Sequence, residues 1–412
     1  MDMYLQKKCK SATEVLILAD DFTGALDTAV QLTGYGKKIR VIDAENSLLS
    51  SEVAKDEVLV FNTDTRHCDP KQAYEKILHL TKRAAKSGVR CIYKKTDSVL
   101  RGNIGAELAG VMEGSSRKKT FFVPAFPKME RTTRNGIQRW KGIPIHETAF
   151  GQDPFEPLST SVVSEILAEQ GLYSCTSVPI STAIPETPAS CIVFDAESDA
   201  DLGKITEQLK GSVDSCVLAG CAGFAAWLPQ LLGWHRVETK IPLCADQLLI
   251  VSGSVHPVTA EQLKYAQENA LPIFYLDPLK ANEQEQRDLL VACIENCFKE
   301  TRQVCLAVPA KSLTPLESGA RETISACLAD ITRQVVENNN RTLLMVNGGD
   351  TLLNVLRMLG SRCVSPVCEI FPGIVFSYAD TDFGLLTVVT KSGGFGDKNV
   401  LIKIKEGLRQ CV

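Results

Sequence analysis

The sequence predicts an α/β protein of two doubly wound domains, each with a mostly parallel sheet, and an interdomain cleft. Short apolar runs typical of buried strands alternate with segments of helical spacing along most of the 412 residues. Charged or glycine-rich turns repeatedly follow these runs, at the positions where open α/β sheets bind ligands. The length suits two domains, and we expect an N-terminal domain over residues 1–240 and a C-terminal domain over residues 246–412.

Composition narrows the class of partner. Hydrophobic residues make up 44% and charged residues 23% of the chain, as in ordinary globular proteins. The net charge of −4 argues against a nucleic-acid or anionic-membrane partner, and no apolar run approaches the ~20 residues of a membrane span. The 15 cysteines are scattered without a Cys-x-x-Cys pair. We therefore expect reduced thiols, no zinc site and a cytoplasmic location.

The first predicted strand, at residues 15–19, ends in two adjacent carboxylates, Asp20 and Asp21, before a turn and a helical segment. Carboxylates at a strand end can hold a metal ion, accept a proton or bind hydroxyl groups. The alternative is that one aspartate caps the helix and the other is solvated.

The N-terminal half continues the alternation of strands and helices, with one interruption. We predict strands at 39–42, 57–61, 89–93 and 121–123, helices at 71–87 and 104–112, an irregular insertion at 128–157 with a hairpin around Lys141-Gly142, and then helix 161–170, strand 191–194, helix 200–209, strand 216–219 and helix 222–232.

Charge recurs at the ends of three of these predicted strands. Asp20-Asp21 follows the first, Asp64 and Arg66 follow the third, and residues 94–101 follow the fourth. Such ends converge on one rim of a doubly wound sheet. Lysine and arginine suit a small carboxylate or phosphate, and Asp, Ser and Thr suit hydroxyls. The pattern favours a small, polyhydroxylated anionic ligand over surface ion pairs of little consequence.

The insertion adds four cationic side chains. They form either a lid over an anion or a solvated loop. They are Lys128, Arg131, Arg134 and Lys141.

The C-terminal half follows a predicted linker at 238–243. We predict strands at 248–251, 342–346 and 385–390 and helices at 259–268, 284–298, 318–337 and 352–359.

Three glycine turns follow the C-terminal strands, at residues 252–254, 347–351 and 391–396. Glycines let a backbone approach a phosphate, which a helix N-terminus can then bind. Thr259 and Gln262 have the spacing of a capping box. The Walker A motif and the Gly-x-Gly-x-x-Gly motif after the first strand are both missing from the sequence. The N-terminal half has residues suited to a hydroxylated acid, and the C-terminal half has turns suited to phosphates. Together they suggest phosphoryl transfer, a reaction that needs Mg²⁺ and an aspartate near the attacking hydroxyl.

These motifs resemble those of the four-carbon acid sugar kinase family over nearly the whole chain. The matching stretches are Ala19-Asp20-Asp21-Phe22-Thr23-Gly24-Ala25 with Asp27, Lys94-Lys95-Thr96-Asp97-Ser98-Val99-Leu100-Arg101-Gly102-Asn103, Pro124-Ala125-Phe126-Pro127, Arg131-Thr132-Thr133, Asp153-Pro154, Ser252-Gly253-Ser254 with Thr259, Gly348-Gly349-Asp350-Thr351 and Lys391-Ser392-Gly393-Gly394-Phe395-Gly396.

The resemblance implies a kinase that uses ATP to phosphorylate the terminal 4-hydroxyl of a four-carbon sugar acid. It implies acid contacts from Asp21, Arg66 and residues 96–101, and ATP contacts from Ser254 and residues 348–351 and 393–394. The stretch at 94–103 is similar to that of D-threonate and D-erythronate kinases and differs from the 3-oxo-tetronate kinase branch. The chain departs from the family pattern at Val99, Glu130, residues 138–141 and Asp350.

We therefore predict conversion of D-threonate to 4-phospho-D-threonate with ATP and Mg²⁺. The alternatives are a D-erythronate or 3-oxo-tetronate 4-kinase and a non-catalytic sensor of acid sugar and nucleotide. The sequence does not identify the metal ligands, and it is compatible with a homodimer. The predicted catalytic residues are Asp97 and Asp21. The predicted substrate-binding residues are Asp20, Asp21, Arg66, Lys95, Thr96, Asp97, Ser98, Arg101 and Arg131. The predicted nucleotide-binding residues are Ser252, Ser254, Gly348, Gly349, Asp350, Thr351, Gly393 and Gly394.

Overall fold

The computed structural model describes residues 14–44, 57–86, 88–152, 157–237, 245–309, 319–339, 341–391 and 393–409. It divides into two compact units, Met1–Val237 and Glu238–Val412. The predicted linker at 238–243, the Asp153-Pro154 motif and Ser392 lie outside the described residues. Of the helices that the structure describes, none combines the length and apolar character that a membrane crossing requires.

The described strands of the N-terminal unit are β1 (Val15–Ala19), β2 (Lys38–Asp43), β3 (Glu57–Asn62), β4 (Cys91–Lys95), β5 (Thr120–Val123), β6 (Arg131–Arg134), β7 (Ile137–Trp140), β8 (Ile143–Pro144), β9 (Cys175–Val178), β10 (Cys191–Phe194) and β11 (Val217–Gly220). Its helices are α1 (Phe22–Val30), α2 (Pro70–Ala85), α3 (Ile104–Ser115), α4 (Val163–Glu169), α5 (Asp199–Leu209), α6 (Ala222–Ala225) and α7 (Leu228–Leu231).

The main N-terminal sheet is parallel, in the order β2-β3-β1-β4-β11-β5-β10-β9. The chain first moves from β1 to β2 and β3 on one side, and then crosses to β4 on the other. The carboxyl end of β1 is therefore the topological switch point, where open α/β sheets bind ligands. Apolar side chains of β1, β3 and α2 pack together beneath this edge, among them Leu16, Phe61 and Ile77.

The predicted α/β class with mostly parallel sheets is confirmed, but the position of β4 corrects one expectation. The apolar run predicts a strand at 89–93, whereas β4 extends to Lys95. Lys94 and Lys95 are therefore buried inside the strand instead of following it. Lys94 lies 2.9 Å from the buried Glu107 carboxylate, and such pairing is what allows a lysine to be buried.

The insertion is an ordered antiparallel sheet, β6-β7-β8, and not the irregular segment predicted. Its turns are Asn135-Gly136 and Lys141-Gly142, and all four residues have positive φ. Two-residue turns of this kind match the twist of a hairpin. The hairpin predicted at Lys141-Gly142 is confirmed, but these strands are too short for their alternation to be read from the sequence.

Two more differences concern the N-terminal unit. The helix predicted at 222–232 is broken into α6 and α7, and Pro229, which lacks an N–H, stands in the first turn of α7. Strand β9 was not predicted, because its residues are mostly half-buried or exposed and lack an apolar run.

The described strands of the C-terminal unit are β12 (Gln247–Ser252), β13 (Ile273–Tyr275), β14 (Gln303–Ala307), β15 (Thr342–Asn347), β16 (Cys363–Phe371), β17 (Ile374–Thr381) and β18 (Gly384–Lys391). Its helices are α8 (Pro257–Glu268), α9 (Gln284–Thr301), α10 (Ala320–Asn338), α11 (Gly349–Met358) and α12 (Val400–Arg409).

The C-terminal sheet has the order β13-β14-β12-β15-β18-β17-β16. The first five strands are parallel, and the β16-β17-β18 meander is antiparallel. The chain moves from β12 to β13 and β14 on one side and then to β15 on the other. The switch point of this sheet therefore lies at the ends of β12 and β15, where two of the glycine turns begin.

Candidate functional site

The predicted acid-binding residues of the first three clusters meet at the switch point of the N-terminal sheet. β1 lies between β3 and β4, with Ala19 opposite both Asn62 and Lys95. Asp20-Asp21, Thr63–Arg66 and Thr96–Ser98 follow these three adjacent strands directly. The parallel register thus brings together side chains that lie far apart in the sequence.

Arg66 is the centre of this cluster. Its Nε donates to Asp20 Oδ2 at 2.7 Å, and its Nη2 donates to Asp21 Oδ1 at 2.7 Å. The same Nη2 lies 3.9 Å from Asp97 Oδ1. Lys95 Nζ lies 3.8 Å from Asp20 Oδ1 and 3.7 Å from Asp21 Oδ1. We call these five residues, Asp20, Asp21, Arg66, Lys95 and Asp97, the acidic-edge cluster.

The charges of this cluster support one another. Burial alone would raise the pKa of Asp20, but the nearby charges of Arg66 and Lys95 outweigh it and lower that pKa to about 2. Burial would lower the pKa of Lys95, but Asp20 and Asp21 raise it. Asp20 and Lys95 therefore keep their charges at neutral pH despite their burial, which suits the binding of a polar ligand.

Asp97 is held more tightly than Asp21. Arg101 Nε donates to Asp97 Oδ2 at 2.8 Å, and Arg101 Nη2 donates to Asp97 Oδ1 at 3.3 Å. Burial opposes ionisation of Asp97, but Arg66 and Arg101 outweigh it and hold its pKa well below the usual range. The side chain of Asp21 is 27% exposed and that of Asp97 is 10% exposed. Of the two predicted catalytic residues, Asp21 is the more accessible to a ligand.

Two buried oxygens of the site have no hydrogen-bond partner in the described part of the chain. They are Asp20 Oδ1 and Thr96 Oγ1, and both residues are almost fully buried. Unsatisfied buried polar atoms are costly, so a ligand hydroxyl that bonds to them would remove that cost. Ser98 is half-buried, and its carbonyl accepts a hydrogen bond from Gln138 Nε2 at 3.0 Å.

Gly24, in the first turns of α1, makes room for this arrangement. A Cβ atom at Gly24 would lie 2.2 Å from Lys95 Nζ and 2.3 Å from Asp21 Oδ1. Any larger residue would push the lysine and the carboxylate apart.

A supporting network behind the cluster was not predicted. Asn103 Nδ2 donates to the carbonyls of Thr65 at 2.9 Å and Cys68 at 2.8 Å, which fixes the loop that carries Arg66. Glu107 accepts from the Thr65 hydroxyl and pairs with Lys94. Burial raises the pKa of Glu107 despite the charge of Lys94. The one available signal was a lone carboxylate in the otherwise apolar first half of α3.

The four cationic residues of the insertion differ in their exposure and in their contacts. Lys128, Arg134 and Lys141 are exposed and approach Asp199, Glu197 and Glu130, respectively, at 3.6–3.9 Å. Arg131 is half-buried, and its guanidinium lies over the Phe150 ring at 5.6 Å from the ring centroid. The structure does not bring the three exposed cations into the acidic-edge cluster.

The β6–β7 hairpin is attached to segments next to the main sheet, which favours a fixed edge of the site over the lid considered from the sequence. Thr133 pairs with Ala196, and Ile137 pairs with Val162. The fully buried Gln138 side chain donates to the Ser98 carbonyl and accepts from the Thr133 hydroxyl at 2.6 Å.

In the C-terminal unit the three glycine turns come together at the ends of the adjacent strands β12, β15 and β18. Gly253 N donates to Asn347 O at 3.2 Å, and Gly348 N donates to Lys391 O at 3.0 Å. A Cβ atom at Gly393 would lie 2.4 Å from Ser254 Oγ, and one at Gly348 would lie 3.5 Å from Ser254 N. Gly348 has φ of 108°, which glycine adopts readily and other residues rarely do.

The predicted nucleotide-binding residues divide into surface and packing positions. Gly348 is the N-cap of α11, and Asp350 is exposed in the first turn of that helix. Gly349 is half-buried, Gly393 is half-buried and Gly394 is exposed. Ser252 and Thr351 are instead buried, and the Ser252 hydroxyl accepts from Asn347 Nδ2 at 3.4 Å. The side chains of these two residues support the turns from beneath.

The capping-box interpretation of Thr259 and Gln262 is wrong. His256 is the N-cap of α8, and its Nδ1 accepts from Val258 N at 3.2 Å. Thr259 Oγ1 donates to Gly393 O at 2.9 Å, and Gln262 Nε2 donates to Phe395 O at 2.9 Å and Gly396 O at 2.8 Å. Both residues hold the third glycine turn in place.

Lys391 also supports this turn. Its buried Nζ donates to Gly393 O and Phe395 O, both at 3.3 Å. Burial lowers the pKa of Lys391 to about 8. A lysine beside a glycine turn could neutralise phosphate charge, but the Lys391 ammonium is directed at backbone carbonyls of the loop.

Within the described ranges, no group of three or more His, Cys, Asp or Glu side chains is placed to hold a metal ion. Mg²⁺ in phosphoryl-transfer enzymes is commonly bound by one or two carboxylates together with substrate phosphates. Asp350, exposed beside the Gly348 turn, is a carboxylate that fits this mode of binding.

Comparisons with known proteins match the two units of the chain to a sugar-binding domain and a nucleotide-binding domain. A sugar-binding N-terminal domain model matches residues 15–228, and a nucleotide-binding C-terminal domain model matches residues 249–401. The chain is similar to a D-threonate kinase of Salmonella typhimurium, with 28% identity over 94% of this chain and 96% of that protein. It is also similar to a D-erythronate kinase of Heliobacterium modesticaldum, with 25% identity over 94% of this chain and 95% of that protein.

A solved structure from Salmonella typhimurium has the same fold, with a TM-score of 0.82 and 21% identity. The match covers 96% of this chain and 99% of that one.

Proposed function

The chain belongs to the four-carbon acid sugar kinase family, and we propose that it transfers the γ-phosphoryl group of ATP to the 4-hydroxyl of D-threonate. The observation that supports this most is the acidic-edge cluster at the switch point of the sugar-binding unit. Its cations hold Asp20 and Asp21 in fixed positions, and its carboxylates and buried oxygens without hydrogen-bond partners suit the hydroxyl groups of a sugar acid. D-Threonate carries three hydroxyl groups on four carbons.

Asp21 and Asp97 have different roles in this proposal. Asp21 is the more exposed carboxylate, so it accepts the hydrogen bond of the attacking hydroxyl and orients it. Asp97 remains ionised between Arg66 and Arg101 and fixes both guanidinium groups. In kinases such positioning and charge stabilisation supply most of the rate enhancement. Asp20, Lys95, Thr96, Ser98 and Arg101 complete the acid-binding surface.

ATP is bound in this proposal by the three glycine turns of the C-terminal unit. Backbone N–H groups at the start of α11 suit phosphate oxygens. Gly348, Gly349, Gly393 and Gly394 leave the backbone open to close approach, and Ser254 stands between the turns. Mg²⁺ would neutralise the triphosphate charge, with Asp350 as its protein carboxylate.

The test is the release of ADP from Mg²⁺-ATP by the purified protein, followed with a coupled assay. The panel consists of D-threonate, D-erythronate, L-threonate, 3-oxo-tetronate and D-glycerate. We expect D-threonate to have the highest kcat/KM. Preference for another four-carbon acid would retain the kinase and overturn the substrate. ATP binding without turnover of any acid would overturn the proposal and favour the sensor.

A further inference from the structure

We propose that Arg131 binds the carboxylate of the acid substrate, so that the hydroxyl groups extend from there towards Asp20 and Asp21. This inference rests on the proposed function, because it assigns the orientation of the acid in that same site. It follows from the charges of the cluster, the surroundings of Arg131 and the attachment of the β6–β7 hairpin.

The charges of the site are balanced except at Arg131. Arg66 donates to Asp20 and Asp21, and Lys95 lies between the same two carboxylates. Arg101 forms a bidentate pair with Asp97. Within the described residues, Arg131 has no hydrogen bond or ion pair from its side chain. An anionic ligand therefore meets three cations that are already paired and one that is not.

The surroundings of Arg131 make its guanidinium a prepared anion site. Its Nε is buried and lacks a hydrogen-bond partner among the described residues. Its Cζ lies 5.6 Å from the centroid of the Phe150 ring, a cation–π contact that helps to hold the guanidinium in place. Burial lowers the pKa of Arg131, although the neighbouring charge of Asp97 opposes this. An arginine in these surroundings gains two N–H···O bonds when a carboxylate approaches.

The position of Arg131 is fixed relative to the cluster. Arg131 N donates to Phe126 O at 3.2 Å, and Phe126 N donates to Arg131 O at 2.7 Å, just beyond the end of β5. Gln138 joins the same hairpin to the Ser98 carbonyl, next to Asp97. Both attachments are to segments that follow the carboxyl ends of β4 and β5. The guanidinium is thus held at the same rim as the acidic-edge cluster.

The opposite orientation of the acid is disfavoured by charge. A carboxylate placed at Asp20 and Asp21 would face two other carboxyl groups, whereas hydroxyl groups can donate to their oxygens. With C1 at Arg131, the terminal hydroxyl is the group farthest from Arg131 and nearest the accessible Asp21. The arrangement therefore also accounts for phosphorylation at the end of the acid opposite its carboxylate.

The test compares D-threonate with D-threonamide, its uncharged amide, by calorimetric Kd in wild-type protein and in Arg131→Met. Arg134→Met is the matched control, because Arg134 lies on the same strand but is exposed and paired with Glu197. We expect Arg131→Met to weaken D-threonate binding by about 100-fold, as for loss of a buried charge partner. We expect the affinity for the amide to change by less than about threefold, and Arg134→Met to leave both affinities unchanged.

Steady-state kinetics supply a second readout. In Arg131→Met the loss should appear mainly in KM for D-threonate, and Arg131→Lys should restore part of it because a charge returns without the planar fork. Equal losses for acid and amide, or an acid affinity within about threefold of wild type, would overturn the inference. Unchanged affinity for an ATP analogue would show that the variant is folded. If wild-type protein phosphorylates no acid, it is the proposed function that has failed.

Discussion

At the scale of residues, each member of the acidic-edge cluster has an oppositely charged neighbour within the cluster. Asp20 is almost fully buried, and its pKa is nevertheless about 2. Lys95 is also buried and has a raised pKa for the complementary reason. The site is thus prepared for a polar ligand before the ligand arrives, which reduces the reorganisation that binding requires.

This arrangement predicts that the free energy of unfolding decreases at acidic pH. The pKa of Asp20 is lowered from 3.8 to about 2 on folding, so its stabilising contribution is complete above about pH 4 and is lost as the pH falls through about 2. The contribution is about 2 kcal/mol. Urea unfolding at pH 2–4 should show this loss in wild type and in the exposed-site control Asp350→Asn, but not in Asp20→Asn. Equal pH slopes in all three proteins would contradict it.

The two candidate catalytic aspartates can be separated by substitution. Asp97→Asn should lower turnover by at least about 100-fold, because Arg101 and Arg66 lose the charge that fixes them. ATP affinity should stay close to that of wild type. Asp21→Asn should lower kcat at least as far if Asp21 orients the attacking hydroxyl. Measurements of ADP release and ATP-analogue Kd decide this, and lost ATP affinity with normal turnover would refute the roles given to Asp97.

At the scale of elements, the glycine turns depend on close approach between neighbouring segments. A Cβ atom at Gly253 would lie 2.0 Å from Thr351 Oγ1. Gly253→Ala should therefore cost about 1–3 kcal/mol of unfolding free energy and weaken ATP binding. Thr351→Ala removes the clashing oxygen, so the double variant should recover part of the loss.

Chemical unfolding of the two single variants and the double variant gives the coupling energy between the sites. We expect it to exceed about 0.5 kcal/mol, as for residues in contact. Simple additivity would mean that Gly253 is not required for the packing of α11.

The β6–β7 hairpin makes a second prediction at this scale. Gln138→Ala removes the donor to the Ser98 carbonyl and the acceptor of the buried Thr133 hydroxyl. The cost should be about 1–3 kcal/mol of stability, together with a lower kcat/KM for the acid and an unchanged Kd for ATP. Arg139→Ala is the control, because the only hydrogen bond that the Arg139 side chain makes to a described residue is to the Gly142 carbonyl on the surface. Equal effects of both substitutions would argue against a role for Gln138 in the site.

The elements recovered from sequence were those with a strong apolar signal. β1, β10 and β15 were found because buried runs and polar turns mark them. β4 was misplaced by two residues, since its last two positions are lysines that only the folded partners Glu107, Asp20 and Asp21 explain. β13, β14, β16 and β17 were not predicted. β16 contains a proline and mostly half-buried residues, whereas β14 was missed although it is fully buried.

The candidate site was predictable in one respect and hidden in another. The ends of parallel strands must meet, so Asp20, Arg66 and Asp97 could be grouped from the sequence alone. The residues that support the site could not be predicted from the sequence. Asn103, for example, donates to backbone carbonyls 35–38 positions away, and a pattern of side chains does not reveal such a bond. Thr259 and Gln262 were misinterpreted for the same reason.

At the scale of the whole molecule, the strands of each unit have a switch point of their own. The acid-binding candidates all belong to the unit Met1–Val237, and the nucleotide-binding candidates all belong to Glu238–Val412. Each ligand should therefore protect different parts of the backbone from hydrogen exchange.

Hydrogen exchange followed by mass spectrometry tests this expectation. A non-hydrolysable ATP analogue with Mg²⁺ should slow exchange in peptides that contain residues 252–254, 348–351 and 393–396. D-Threonate alone should slow exchange at residues 20–24, 63–66 and 96–101. D-Threonate protection confined to the C-terminal peptides would contradict the assignment of the acid to the N-terminal unit.

The separation of the two ligand sets between units has a consequence for how such enzymes diversify. The acidic-edge cluster and Arg131 belong to the unit Met1–Val237, and the glycine turns belong to Glu238–Val412. If these residues bind acid and nucleotide as proposed, a lineage can change its preferred acid by a few substitutions around one rim while the phosphate donor stays the same. Gene duplication followed by drift at positions such as Gln138 is then a short route to a new substrate preference.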